Sequence, residues 1–440
     1  MVNPTAAGDA APRNSVPKPK GPKPEGPKPA VPRPTQAKPS QAERKQGRSS
    51  TGSLLAGVAL AYGAIAGILT GIAALAVHLP GAAPTLMYRG SSVLGGWCRF
   101  DCGWYVDIAQ RGYSYTPGQQ SSVAFFPGYP LMVRAVDGIV DSPIISTALV
   151  TWVAGLAAAV LFALWTTGRF EARVAGWAVA VFLLYPYGFF LFGAGYGDAL
   201  FVALVLGAFV LVEHDQPVLA GVAGALAGIT RPIGVAVVAG LVLVALDRRG
   251  GLPRRAGTTG ALARLGVPAR IDVRRFRPRD VGVLLAVLGP VAWSAWLADR
   301  FGDAFAYVTV QQAWDQTEGP HTWFKIGFGG QVLHAADAGY VVGLVIQASL
   351  TLAALLAVPA IARRLGPGYA GYTAVVVVLA ALGTKDFQGM GRYLLAAFPL
   401  FALVGVVIAD RPRVRVAVVG VFGVLLALGA FGFARNWYLT

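Results

Sequence analysis

Residues 97–134 read WCRFDCGWYVDIAQRGYSYTPGQQSSVAFFPGYPLMVR, the longest polar, aromatic-rich interruption between strongly apolar runs in the chain. The runs around it decide the fold class. The segments 54–77, 144–165, 174–192, 341–361 and 414–433 each reach the ~20 residues that cross ~30 Å of hydrocarbon. The 440 residues are 55% hydrophobic and 13% charged, against roughly 25% charged in soluble proteins. An all-α integral membrane protein follows, a polytopic bundle of transmembrane helices.

Within the quoted stretch stand two carboxylates, Asp101 and Asp107, and the rings of Trp97, Trp104, Tyr105, Tyr113 and Tyr115. Its Phe-Phe-Pro-Gly-Tyr-Pro run cannot be an ordinary helix interior. If 104–110 is helical, Tyr105, Ile108 and Ala109 share one face, and the segment can lie flat on a membrane surface. Cys98 and Cys102, the two cysteines of the chain, flank Asp101. A disulfide is open to them outside the membrane, but two free thiols are the favoured reading, because a helical i,i+4 pair strains a bridge. No histidine stands near enough for a zinc site, and no metal is expected.

The net charge of +16 is concentrated in two blocks. Residues 1–50 hold ten Lys/Arg against three Asp/Glu, and 247–280 hold ten Arg against three Asp, so each contributes +7. Neither block interleaves rings for base stacking, which argues against nucleic acid. Positive blocks instead mark cytoplasmic segments and attract anionic lipid head groups. Eleven prolines in the first fifty residues favour extended polyproline II, so 1–52 is expected to be a disordered cytoplasmic tail whose partner is unknown, and 53–440 the membrane domain.

Charge placement orders the spans. Treating 124–140, with its Pro127 and Pro130, as juxtamembrane or re-entrant puts Arg169 and Arg173 inside. Spans near 53–77, 143–166, 173–193, 198–213, 217–230, 232–246, 281–299, 339–361, 369–384, 392–409 and 414–434 then alternate, giving about eleven with the amino end in. Loops 78–141 and 300–338 fall outside, and the basic loop 247–280 inside. The short segments flanking Thr230-Arg231-Pro232 suggest broken helices, tolerated only beside protein or a water-filled cavity. Under this topology Asp101, Asp107, Tyr196, Asp198, Arg231, Lys385, Asp386 and Arg392 all reach the outer face.

The pattern W-x3-D-x2-W-Y-x2-I-A-x2-G-Y from Trp97, followed by F-F-P-x-Y-P-L from Phe125, resembles the PIG-V family of multi-spanning mannosyltransferases, of the GT-C glycosyltransferase class. Weaker echoes follow in family order: YPYGFFLFGAGYGDAL at 185–200, GITRPIG at 228–234 and GMGRYLLAAFPLF at 389–401. The resemblance covers about 53–410. It implies a GT-C bundle whose external first loop carries juxtamembrane helices, and transfer of mannose from polyprenyl-phosphate-mannose with inversion, Asp101 matching the family's base. The Ala/Gly/Val/Arg-rich composition suggests a high-GC bacterium of actinobacterial type, where a phosphoinositol mannoside, lipoglycan or protein acceptor fits better than a glycosylphosphatidylinositol.

A sugar transfer accounts for the remaining residues. It needs a base, a surface for the sugar and cations for the leaving phosphate. Arg231 and Arg392, with Lys385 in reserve, suit phosphate oxygens. Trp97, Trp104, Tyr105 and Tyr113 can stack on sugar or line a prenyl groove, or belong to an interfacial aromatic belt. Asp198, with Tyr196, is either part of the site or a helix N-cap. No G-x-G-x-x-G or P-loop occurs, and no cofactor is expected. A transporter or lipid flippase would also place broken helices and charges in a cavity, but near the midplane and in related halves.

Overall fold

The structure, a computed structural model, describes residues 41–81, 93–253, 267–316, 319–334 and 337–437, with side chains from residue 52 onward. Residues 1–40 of the expected tail and 254–266 of the basic loop lie outside them. The chain divides into two units, Met1–Ser50 and Thr51–Thr440. Helix α1 runs Gln41–His78, so residues 41–52, expected as tail, are helical. The good helix formers of 41–46, QAERKQ, and the absence of proline after Pro39 allow it.

In the second unit the elements are α2 (Cys102–Arg111), α3 (Gly128–Val140), α4 (Pro143–Thr167), α5 (Ala172–Leu183), α6 (Asp198–Glu213), α7 (Pro217–Gly228), α8 (Val235–Arg248), α9 (Pro278–Phe301), α10 (Ala338–Leu365), α11 (Pro367–Leu382), α12 (Pro399–Ile408) and α13 (Pro412–Ala434). Each of the eleven expected segments overlaps one of these helices. Five helices are long and apolar enough to cross a membrane by themselves, among the described residues: α1 over Gly52–His78, α4, α9, α10 and α13. Four shorter apolar helices, α5, α7, α11 and α12, stand beside them. The 25 residues of α4 make about 38 Å, enough to span.

Small residues bring α4 close to its neighbours: Ala154, Gly155, Ala158 and Ala159 are buried along it. Tyr62 of α1 reaches through to donate to the Leu191 carbonyl at 2.7 Å. Deeper in, Phe162, Phe182 and Phe401 pack edge to face or tilted, as do Phe209, Tyr372 and Phe398. Such pairs contribute about 0.5–1.5 kcal/mol each beyond their area.

One end of the bundle is pinned by charge. Arg169 pairs with Glu213, which also accepts from Tyr369 Oη at 2.6 Å. Arg249 joins Asp215 at 2.6 Å and Asp280 at 2.9 Å, and Arg279 joins Asp215 at 2.5 Å. The two ends of the basic loop are therefore clipped together by the α6–α7 turn.

At the opposite end two chain breaks meet. Pro232 forces the residue before it into extended geometry, and Arg231 has φ −151° and ψ 147°. The Ile229 carbonyl freed by this break accepts the Gly128 N–H at 2.7 Å. A Cβ on Gly128 would come within 2.5 Å of Thr230 Oγ1, so the FFPGYP turn needs glycine there. Helix α3 starts from this contact. Pro130 falls in its first turn, where no intrahelical donor is lost, and does not break it. Tyr129 and Val133 are buried, whereas Leu131 and Ile139 are exposed, so α3 lies along the bundle with one side open.

Candidate active site

Asp101 sits on a tight turn ahead of α2. The turn begins where the Trp97 carbonyl accepts the Gly195 N–H at 3.0 Å, and Phe100 takes a positive φ of 51°. Cys98 and Cys102 are disulfide bonded, with Cα atoms 5.1 Å apart. This corrects the expectation of free thiols. Cys98 precedes the helix instead of lying in it, so the pair is not a helical i,i+4 pair, and the turn brings the Cα atoms within ordinary bridging range. The Asp101 N–H donates to Tyr196 Oη at 3.1 Å.

Across from Asp101 stands the short helix Met390–Tyr393. Arg392 donates from its guanidinium to Asp101 Oδ2 at 3.4 Å. The same guanidinium lies over the rings of Tyr196, Tyr393 and Phe190, at 5.3, 5.4 and 5.7 Å from their centroids. Arg231, from the α7–α8 break, pairs with Asp198 at the start of α6, and its guanidinium is 5.0 Å from the Tyr393 centroid. Gly197 occupies the N-cap position of α6, so Asp198, its first residue, is not the cap; its partner is Arg231. Two acid–arginine pairs thus meet on one ring, Tyr393.

The cluster keeps capacity for a ligand. Arg392 Nε and Asp198 Oδ2 are buried and have no hydrogen-bond partner among the described residues. One is a charged donor and the other an anionic acceptor, so an anion and a hydroxyl are the groups they complement. Tyr196 and Tyr105 are buried beside them; desolvation pushes both phenols above their ordinary range, so both remain neutral hydrogen-bonding groups.

The other residues named from sequence divide. Tyr105 packs on Tyr129 and Tyr196 at 5.0 and 6.1 Å, within the field of both pairs. Trp104 stacks on Phe125 at 5.7 Å and meets Trp314 of the 300–338 segment at 5.9 Å, forming a wall beside the turn. Trp97 is 2% exposed, donates to Thr70 Oγ1 at 3.2 Å and packs on Phe433, so it belongs to the core. Tyr113 packs against Trp293 and Trp296 in a separate cluster with α9. Asp107 pairs with Arg111 at 2.8 Å on the exposed side of α2. The Lys385 backbone N–H donates to Gln316 Oε1 at 3.1 Å, while Asp386, fully buried, accepts from Tyr340 Oη at 3.1 Å. Among the described residues no group of three His, Cys, Asp or Glu is arranged to hold a metal ion.

Tyr393 and Phe190 were not singled out from sequence, although both lie in quoted segments. The one signal for Tyr393 in the sequence is its place directly after Arg392, in GMGRYL.

Fold and site together define an all-helical polytopic membrane protein with a buried acid–arginine cluster where helix breaks converge. Part of the sequence is similar to GPI alpha-1,6-mannosyltransferase 2: 33% identity over 146 residues with the Cricetulus griseus protein, covering 31% of this chain and 28% of that one. With the Rattus norvegicus and Mus musculus proteins identity is 32% over 155 and 154 residues. The chain thus spans at most 30% of the length of these curated relatives. No family model matches the chain. Among solved structures, ArnT from Cupriavidus metallidurans bound to undecaprenyl phosphate aligns at TM-score 0.47 and 16% identity, over 80% of this chain and 60% of that one. The archaeal oligosaccharyltransferase AglB from Archaeoglobus fulgidus, in complex with an inhibitory peptide and a dolichol-phosphate, aligns at TM-score 0.41 and 12% identity, over 86% and 56%.

Proposed function

We propose that the protein is a membrane glycosyltransferase that moves mannose from polyprenyl-phosphate-mannose to a lipid-linked or other extracytoplasmic acceptor, at the outer face of the membrane. The observation that carries this reading is the meeting of Asp101 with Arg392, 3.4 Å apart, with Arg392 Nε unpartnered among the described residues. Asp101 takes the proton of the acceptor hydroxyl as its oxygen bonds to the anomeric carbon. The phosphate leaves with the bonding pair, its charge met by Arg392. Attack from the face opposite the phosphate inverts the anomeric centre, giving an α-mannoside from a β-linked donor. Asp198 Oδ2 accepts from a sugar hydroxyl, and Trp104 gives the sugar a ring face, with Tyr105 packed behind as support. The similarity to mannosyltransferases supports the choice of mannose.

The test is transfer of radiolabelled mannose from polyprenyl-phosphate-mannose in membranes carrying wild type or Asp101→Asn at equal expression. Loss of about 10²–10⁴-fold in the variant is expected of a general base, and the labelled product leads to the acceptor. Equal transfer by the variant removes Asp101 as the base, and no transfer by wild type removes the donor.

A further inference from the structure

The segment that carries Arg392 is held by side chains that the chemistry above does not use. Helix α10 is an apolar span, yet it buries an amide, Gln347, 4% exposed and roughly 14 Å along the helix from its first residue. A polar group in such surroundings is costly unless it is hydrogen bonded. Gln347 Oε1 accepts the Gly391 N–H at 3.2 Å, and the Gly391 carbonyl accepts from Tyr185 Oη at 2.9 Å. A Cβ at Gly391 would lie 2.5 Å from the Tyr187 ring, so the peptide before Arg392 is confined on a third side.

Tyr340 stands seven residues before Gln347, on the same face of α10. It donates to Asp386 Oδ2 at 3.1 Å, and Asp386 Oδ1 accepts the Gln388 N–H at 3.2 Å. One polar stripe of α10 therefore fixes the 386–391 segment at two points, immediately ahead of the arginine. Packing alone requires neither an amide nor a phenol at those positions.

We infer that Gln347 is a positioning residue: by holding the Gly391 amide it sets the Arg392 guanidinium against Asp101 and orients the Nε–H that receives the phosphate of a polyprenyl-phosphate donor. This rests on the reading of Arg392 as the phosphate partner. Gln347→Met matches the side chain in size without an acceptor of comparable strength, whereas Gln347→Glu, kept protonated by its apolar surroundings, retains the accepting carbonyl oxygen.

The experiment uses the full chain in lipid nanodiscs with two readouts, amide hydrogen exchange and binding of undecaprenyl phosphate. In Gln347→Met, exchange in the peptide 388–395 rises about 10-fold while peptides of α4 and α6 are unchanged, and binding weakens about 10-fold; Gln347→Glu stays within about 3-fold of wild type on both. The inference is overturned if Gln347→Met changes neither readout, loosens all peptides alike, or matches Gln347→Glu. If wild type binds no undecaprenyl phosphate, the donor reading falls, and the exchange comparison alone decides the positioning role: a rise confined to 388–395 and restored in Gln347→Glu sustains it, and any other pattern overturns it.

Discussion

The Arg392 guanidinium lies 3.4 Å from the Asp101 carboxylate, although the two residues are 291 positions apart in the chain. The contact is longer than the ~2.8 Å of a strong charge-assisted hydrogen bond, and Nε of the same guanidinium has no hydrogen-bond partner among the described residues. An arginine so loosely held is available to an incoming anion. Arg231 is in the opposite condition. It and Asp198 are in close contact, and both side chains are almost fully buried, at 9% and 3% exposure.

Replacing the two arginines therefore has different consequences. Arg231→Met leaves Asp198 buried without its countercharge and lowers stability by about 3–5 kcal/mol. Adding Asp198→Asn to that variant recovers most of the loss, since no charge remains buried. In Arg392→Met the Asp101 side chain, 34% exposed, can hydrate, so the thermal midpoint changes little while mannose transfer falls about 100-fold or more. Midpoints in detergent and transfer rates on the same preparations check both; similar midpoints for the two arginine variants would sink the distinction.

Tyr393 is expected to act through its ring. Arg231 and Arg392 lie 5.0 and 5.4 Å from its centroid, and a desolvated cation–π contact is worth up to about 2 kcal/mol. Tyr393→Phe keeps both contacts and holds kcat/KM near wild type. Tyr393→Leu loses both and lowers kcat/KM about 10-fold, with the larger part in KM for the donor. A Phe variant as poor as the Leu variant would assign the effect to the hydroxyl.

The helical bundle was legible because hydrocarbon imposes a coarse rule, a run of apolar residues of fixed length, and the ends of α4, α6 and α13 fall within two residues of where the pattern put them. Asp101, Asp198, Arg231 and Arg392 were legible as charges that an apolar chain has no reason to carry. What sequence left open were relations between segments. Nothing in the order of residues says that Arg231 is neutralised by Asp198 while Arg392 faces Asp101. Trp97 and Tyr113 share a motif with Asp101 yet serve packing, because successive residues of a turn and helix point in different directions. The disulfide is illegible for a local reason, since the sequence does not show that the helix begins only at Cys102, four residues after Cys98. Gln347 carried a signal that went unused, a lone amide inside an apolar span.

The disulfide gives a third prediction. It closes a loop of only five residues, Cys98–Cys102, so constraint of the unfolded chain contributes about 2 kcal/mol. That loop carries Asp101, whose backbone N–H is also fixed by Tyr196. Replacing both cysteines by serine is expected to lower the thermal midpoint modestly and kcat more than KM, since the carboxylate is less well aimed. Reductant should reproduce the effect in wild type and leave the serine variant unchanged. Wild-type activity insensitive to reductant, with the thiols shown to be reduced, would refute it.

Lys325 Nζ donates to the carbonyls of Ala381 and Thr384 at the end of α11 and lies 5.1 Å from the Phe387 centroid. Burial lowers its pKa from 10.5 to about 8, with Asp386 acting in the opposite direction. A lysine depressed in the folded state binds fewer protons there than in the unfolded chain between about pH 8 and 10.5. Stability therefore rises with pH through that window, and the cost of burying the charged amine is fully present below it. Lys325→Met has no such titration. From pH 7.5 to about 10 the wild-type midpoint should climb relative to that of the variant, with proteolysis of the 319–334 segment slowing in wild type alone. Parallel pH profiles would show that the amine keeps its ordinary pKa, its charge satisfied by the two carbonyls at the helix end.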